Sequence, residues 1–219
     1  KGTHSDTVDI MKKYAYVYRY DERGNQIYKR LPGTEPILMV YDVTNTLVMS
    51  QTGNQRTRGM YWTIYQYDEL RRLLYTAEAT ISNSDHHQLI DDLSNRYLVN
   101  QFSMEVDNPM GNTGYSNGYF ELNSVSILTV NYYDFYDFLT FTSDSVQNQM
   151  AFVPSAAYNS FGSARGLLTG TRTYCLDGTG SYSESVYYYD EYGREIQRRT
   201  TNNFGGIDVL STQYDFANN

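Results

Sequence analysis

Tyr18-Arg19-Tyr20-Asp21-Glu22-Arg23-Gly24-Asn25-Gln26-Ile27 and Tyr187-Tyr188-Tyr189-Asp190-Glu191-Tyr192-Gly193-Arg194-Glu195-Ile196 are the two stretches that decide the fold. Each carries tyrosine at alternate positions, closes on Tyr-Asp, and places glycine three residues after the aspartate. Side chains of a strand point to alternate faces, so the period-two run predicts a β-strand. The aspartate opens a tight turn by accepting from backbone N–H groups, and glycine closes it where positive φ is required. The reading is a hairpin with a type I turn and a bulge, with returning strands over 26–31 and 195–201.

Working outward, Tyr-Asp recurs seven times, at Tyr20, Tyr41, Tyr67, Tyr133, Tyr136, Tyr189 and Tyr214. Random placement predicts roughly two such pairs, so the excess marks an internal repeat of about 20–28 residues. Strand patterns accompany the pairs: Tyr14, Tyr16, Tyr18 and Tyr20 share one face, Tyr61, Thr63, Tyr65 and Tyr67 another, and 127–133 and 186–189 are β-rich. The structural turn residues read from this pattern are Asp21 with Gly24, Asp42 with Asn45, Asp68, Asp134 with Asp137, and Asp190 with Gly193. Asn and Asp tolerate the left-handed region that glycine occupies in the two clearest copies. Arg71, three after Asp68, breaks this rule and predicts a different turn type or a lost hairpin. A lone hairpin is marginal, so neighbouring repeats must stabilise one another as a continuous antiparallel sheet.

Composition bounds the function. The 219 residues, 40% apolar and 19% charged, suit one domain, 1–219. Leu, Ile, Val and Phe make up about a fifth of the chain, close to the disordered range, and the 24 tyrosines supply the missing burial. A net charge of −8 argues against a nucleic-acid partner. The longest apolar run, 37–41, is far short of the roughly 20 residues of a membrane-spanning helix. The single cysteine, Cys175, can form neither an intrachain disulfide nor a zinc or redox pair. The chain opens at Lys1 without a basic-then-apolar leader, so any signal peptide is expected to lie outside this sequence.

The two quoted stretches resemble the YD-repeat, or RHS-repeat, family, whose unit is Y-x-Y-D-x-x-G-R/N-x-I/L. The likeness extends over 14–75, 120–140 and 165–216, with 129–138 and 166–173 resembling the long secreted or surface YD-repeat proteins of Bacteroidetes. The resemblance implies a β-sheet strip that spirals into a shell around another polypeptide, often a toxin, or forms part of a cell-surface protein. An extracellular or cell-surface location follows from it alone. The family's self-cleaving end, with its Asp-Pro-x-Gly signature, is not matched; 107–111 has the wrong order and reads as a loop. Tyr214-Asp215 is followed by four residues without glycine, which leads us to expect a part of a longer array.

Two regions, 77–119 and 141–164, depart from the repeat. Leu89, Ile90, Leu93 and Tyr97 recur at helical spacing behind cap candidates Ser82 and Ser84, predicting a short helix near 84–95. The Gly- and Asn-dense stretch 108–119 reads as a loop. The fold class is therefore mainly β: consecutive antiparallel YD-type hairpins with a short inserted helix.

The chemistry-bearing candidates are few. His86 and His87 with Asp85, Asp91 and Asp92 form the one His–acid cluster, yet adjacent helical histidines diverge by about 100° and a third ligand is lacking, so we read a solvated helix face. The repeated aspartates follow the turns, which explains their spacing where a glycosidase acid pair does not. G-x-S-x-G is absent. No catalytic residue, metal or cofactor is expected. The tyrosine stripes could stack on sugars or form a protein interface, but we read them as ladders of cross-strand pairs; Trp62, the single tryptophan, is the best individual residue for a possible ligand platform. The resulting expectation is a non-catalytic structural segment that encloses or presents a polypeptide, its partners the remaining repeats. The alternatives are a carbohydrate-binding or adhesive surface module and, behind it, a glycan-acting enzyme.

Overall fold

The computed structural model describes residues 13–82, 85–103 and 113–215. They form β1 (Val17–Tyr20), β2 (Gln26–Arg30), β3 (Ile37–Tyr41), β4 (Leu47–Gln51), α1 (Gly53–Gly59), β5 (Trp62–Tyr67), β6 (Leu73–Ile81) and α2 (His86–Leu93). β7 (Leu122–Tyr133), a 3₁₀ helix (Asp137–Phe141), α3 (Asp144–Met150), β8 (Leu168–Tyr174), β9 (Tyr182–Tyr189), β10 (Glu195–Thr201) and β11 (Ile207–Ser211) follow. The fold is mainly β, an antiparallel sheet whose strand order is the sequence order from β1 to β11. This is the topology that consecutive hairpins produce. The chain divides into two compact units, 1–100 with 117–126, and 101–116 with 127–219.

In the first unit, β1–β2, β3–β4 and β5–β6 are hairpins, each with a register shift next to its Tyr-Asp tyrosine: Arg19/Tyr20, Val40/Tyr41 and Gln66/Tyr67. The shift is the bulge that the left-handed turn residue introduces. One sheet face carries Val40, Met49, Trp62, Ile64 and Ala79, all fully buried, and α2 adds Leu89 and Leu93 to the same cluster. The helix predicted near 84–95 thus exists, and its apolar stripe closes this core. Its cap is Asp85, whose carboxylate accepts from the Gln88 N–H at 2.9 Å; Ser84 lies outside the described residues.

Two departures have physical causes. β6 runs on through Ile81, into the region read as irregular. The alternation is present there, but it is written in Ala77 and Ala79, whose small side chains give a weak hydrophobic signal and fit where Trp62 pairs across the strands with Ala79. α1, which the sequence reading missed, is signalled by a capping box: the Thr52 hydroxyl accepts from the Gln55 N–H, and the Gln55 side chain accepts from the Thr52 N–H.

The second unit has an aromatic core. Phe138, from the 3₁₀ helix, stacks on Tyr132 of β7 with centroids 4.1 Å apart and rings nearly parallel. Tyr188 of β9 stacks on Tyr136 and donates its hydroxyl to the Met150 carbonyl at 2.8 Å. Gly170 in β8 lies under Phe138, and a Cβ there would sit 2.2 Å from the ring. Beside it, Arg172 of β8 and Glu184 of β9 face each other in register, both buried, and the guanidinium donates to the carboxylate at 2.7 Å.

Two stability outcomes follow, measured by chemical denaturation. Gly170→Ala displaces a stacked ring and is expected to cost about 1–3 kcal/mol, as overpacking does. Arg172→Met strands a buried carboxylate and is expected to cost about 3–5 kcal/mol, most of it recovered when Glu184→Leu is added.

Candidate functional site

The turn residues form one recurring construction. At Asp21, the N–H donates to the Asn25 carbonyl at 2.9 Å, the Gly24 N–H donates back to the Asp21 carbonyl at 3.1 Å, and Oδ1 accepts from the Arg23 and Asn25 N–H groups. Asp42 repeats this with Asn45, Thr44 and Thr46, and Asp190 with Gly193, Tyr192 and Arg194. Gly24, Asn45 and Gly193 adopt φ of 82°, 61° and 75°.

Asp68 makes the same turn. Arg71 holds φ 63° and donates its N–H to the Asp68 carbonyl at 3.0 Å, so the expectation of a different turn or a lost hairpin is corrected. An L-residue in this region costs about 1–2 kcal/mol. Arg71 offsets that cost with its side chain, which pairs with Asp42 at 2.8 Å and covers the Tyr97 ring at 4.2 Å. A further turn of this type, missed in the sequence, opens at Asn202: Gly205 has φ 78° and the Asn202 side chain accepts from the Phe204 and Gly206 N–H groups. No Tyr-Asp signals it, but Asn three before glycine does.

Asp134 and Asp137 differ from expectation. Asp134 itself takes φ 73°, and its N–H donates to Leu167, 33 positions on, while its carboxylate accepts from the Gly166 N–H. Gly166, at φ 84°, fills the place of Gly24 and Gly193. The segment 135–165 is therefore an insertion within a Tyr-Asp turn, and Asp137 begins the 3₁₀ helix inside it. Asp137 is not a hairpin-turn residue.

A second bond explains the tyrosine. Tyr20, Tyr41, Tyr133 and Tyr189 pair across their own hairpins with Gln26, Leu47, Leu168 and Glu195. The carbonyls of those four partners accept the hydroxyls of Tyr41, Tyr67, Tyr189 and Tyr214, each from the Tyr-Asp pair of the next repeat in its unit, at 3.3, 3.0, 2.6 and 3.0 Å. Each Tyr-Asp pair thus closes its own turn through aspartate and clamps the preceding hairpin through tyrosine. In the first unit the turns also touch: Asn25 donates to the Asn45 side chain and Arg23 to the Val43 carbonyl.

Titration follows from these contacts. Burial acts to raise the Asp42 carboxyl, but the Thr44 hydroxyl, the Thr46 and Thr44 N–H groups and Arg71 outweigh it and hold it below the ordinary value. Asp21 and Asp190 are lowered in the same way, against burial, by their turn partners. Burial raises Tyr41 and Tyr67 and pushes Tyr189 up to about 12, keeping these hydroxyls as donors.

The remaining candidates disperse. Trp62 is fully buried beneath α2, so it cannot act as a ligand platform; its large apolar surface is what α2 covers. The His86 ring lies 3.0 Å from the Met39 carbonyl, Asp85 caps α2, and Asp92 pairs with Arg96 at 2.8 Å. No metal-type group of three or more is found among the described residues. Cys175 is exposed. A cleft of about 240 Å³ in the second unit is lined by Phe152, Tyr158, Ile196, Gln197 and Gln213 with small neighbours, and no carboxylate or histidine is in its lining. No helix of the described residues is long and apolar enough to cross a membrane.

No family model and no curated protein matches the chain. Among solved structures, one titled "Crystal Structure of TcdB2-TccC3-Cdc42" is similar at a TM-score of 0.32 and 12% identity, over 97% of this chain. The chain spans 10% of the length of that neighbour.

The turns generate one pH-dependent outcome. Asp190→Ala leaves turn N–H groups without their acceptor and is expected to cost about 1–3 kcal/mol. Asp190→Asn retains an acceptor oxygen, as Asn202 does, and costs less. Because the folded Asp190 carboxyl is lowered, its contribution is complete above the unfolded value near 4 and is lost as pH falls through the folded one. A denaturation series from pH 7 to 2 should therefore show Asp190→Asn losing less stability on acidification than the unsubstituted chain.

Proposed function

We propose that this chain is a non-catalytic structural segment of the YD-repeat, or RHS-repeat, type, which contributes to a β-sheet shell or cell-surface scaffold enclosing or presenting another polypeptide. The supporting observation is the fate of the polar side chains of the repeat. The carboxylates of the Asp21, Asp42 and Asp190 turns are taken up by their own backbone, and the hydroxyls of Tyr41, Tyr67, Tyr189 and Tyr214 bond to the preceding hairpin, so the repeated chemistry builds a wall. Its partners are then further repeats and an enclosed or displayed polypeptide, and its location is extracellular or on the cell surface. The burial of Trp62 removes the best single residue for a glycan-binding reading.

Limited proteolysis of the natural protein that carries this chain tests the reading. The expected outcome is a polypeptide segment outside 1–219 that resists protease until the repeats are denatured, with no turnover of a glycan panel. Glycan hydrolysis lost on removing a carboxylate outside the turns, or immediate digestion of everything beyond the repeats, would overturn it.

A further inference from the structure

α2 is fastened to the first unit differently at its two ends. Beyond its C-terminus the chain is held by backbone: the Val43 N–H donates to the Arg96 carbonyl at 3.0 Å, and the Asn100 N–H to the Tyr67 carbonyl at 2.8 Å. Its first turn instead meets the sheet through a titratable side chain. The His86 ring is half-buried, lies 6.3 Å from the Trp62 ring between centroids with the planes 31° apart, and places Nε2 3.0 Å from the Met39 carbonyl of β3. Because that partner is a carbonyl, Nε2 carries the hydrogen in the neutral ring, and Nδ1 is the atom left to take a second proton. The helix face expected from the sequence to be solvated thus turns one histidine toward the sheet, while His87, at the next position, is exposed.

We propose that α2 is a pH-sensitive cover: with His86 neutral its first turn stays docked over Trp62, and a proton on Nδ1 of His86 lifts that turn from the sheet while the far end of the helix stays attached. The surroundings of the ring favour release. Burial disfavours the imidazolium, and the charges of His87, whose ring centroid is 5.9 Å away, and of Arg56 on α1 act in the same direction. The Met39 carbonyl and Asp85 oppose them, but the Asp85 carboxylate already accepts from the Gln88 N–H, and β5 presents only the uncharged Trp62 ring. The balance holds His86 below the ordinary imidazole value. A ring lowered in this way binds its proton more tightly when undocked, so docking is complete above the free value of about 6.5 and is lost as pH falls below it. The turn carboxyls of Asp21 and Asp42 are held below their own ordinary values, so they remain ionised through this range and the sheet beneath the cover is kept.

Trp62 is the single tryptophan, so its accessibility reports on the cover directly. The test is acrylamide quenching of its fluorescence in the intact chain, an uncharged quencher being used so that access and not ring charge is read. The quenching constant is expected to rise as pH is lowered from 8 to 5, with a midpoint below about 6.5 and with the far-ultraviolet circular dichroism of the sheet unchanged. His86→Gln retains an N–H for the Met39 carbonyl but takes up no proton, and should give the same quenching at both ends of the range. His87→Gln should keep the rise and move its midpoint to higher pH, because a neighbouring cation is removed. Quenching that stays flat in the unsubstituted chain, or a rise that persists in His86→Gln, would overturn the proposal. So would loss of the sheet signal in step with the rise, since the event would then be unfolding of the whole unit.

Discussion

The hydrogen bond from a Tyr-Asp tyrosine to a carbonyl of the preceding hairpin is the constraint on which the rest depends. A hairpin closed by its turn is only marginally stable in water, and hairpins laid side by side gain from each other only if their register is held. The tyrosine supplies that register. Its ring spans the interval between repeats, burial keeps its hydroxyl protonated, and the acceptor is backbone, so neighbouring side chains can vary without breaking the contact.

Aspartate and the left-handed residue form the complementary half. The carboxylate gathers the turn N–H groups, and the residue three positions later absorbs the positive φ. Because the requirement is one of backbone conformation, the position accepts Gly24, Asn45 and Gly193, and even Arg71 where an ion pair to Asp42 offsets the strain. The same construction tolerates insertion. At Asp134 the backbone N–H still donates to the carbonyl of the residue after a positive-φ glycine, Leu167 behind Gly166, although 31 residues intervene between Asp134 and that glycine, and those residues return Phe138 to cover β7 and β8.

Polar chemistry in this protein is thereby directed inward and toward neighbouring strands. Asp42 sits fully buried, satisfied by Thr44, Thr46 and Arg71, and the Arg172–Glu184 pair is sealed beneath an aromatic layer. Groups that would serve as acids or ligands in an open cleft here hold one strand or turn against the next. Tyr18 and Tyr20 of β1 are among the aromatic side chains that stay exposed, and Tyr20 is a clamp donor for which the described residues offer no acceptor.

What the sequence determined by itself was the local unit. Period two in Val17 to Tyr20 and Trp62 to Tyr67, aspartate at the turn, and glycine or asparagine three residues on are conformational requirements that each stretch satisfies from its own residues, so the hairpins and the sequential sheet were legible, as was α2 from Leu89, Ile90 and Leu93; the strand face expected from Tyr14 onward begins only at Val17, Tyr14 being helical and Tyr16 outside the strand. Only the tertiary structure decided what depends on contacts distant in the chain. Trp62 is core and no platform because α2 lies over it, Arg71 takes a left-handed turn because Asp42 of the neighbouring hairpin neutralises it, and Asp137 belongs to an insertion because Asp134 finds its glycine at 166. Burial and ion pairing are properties of what packs against a residue, and no periodicity in the residue's own neighbourhood records them.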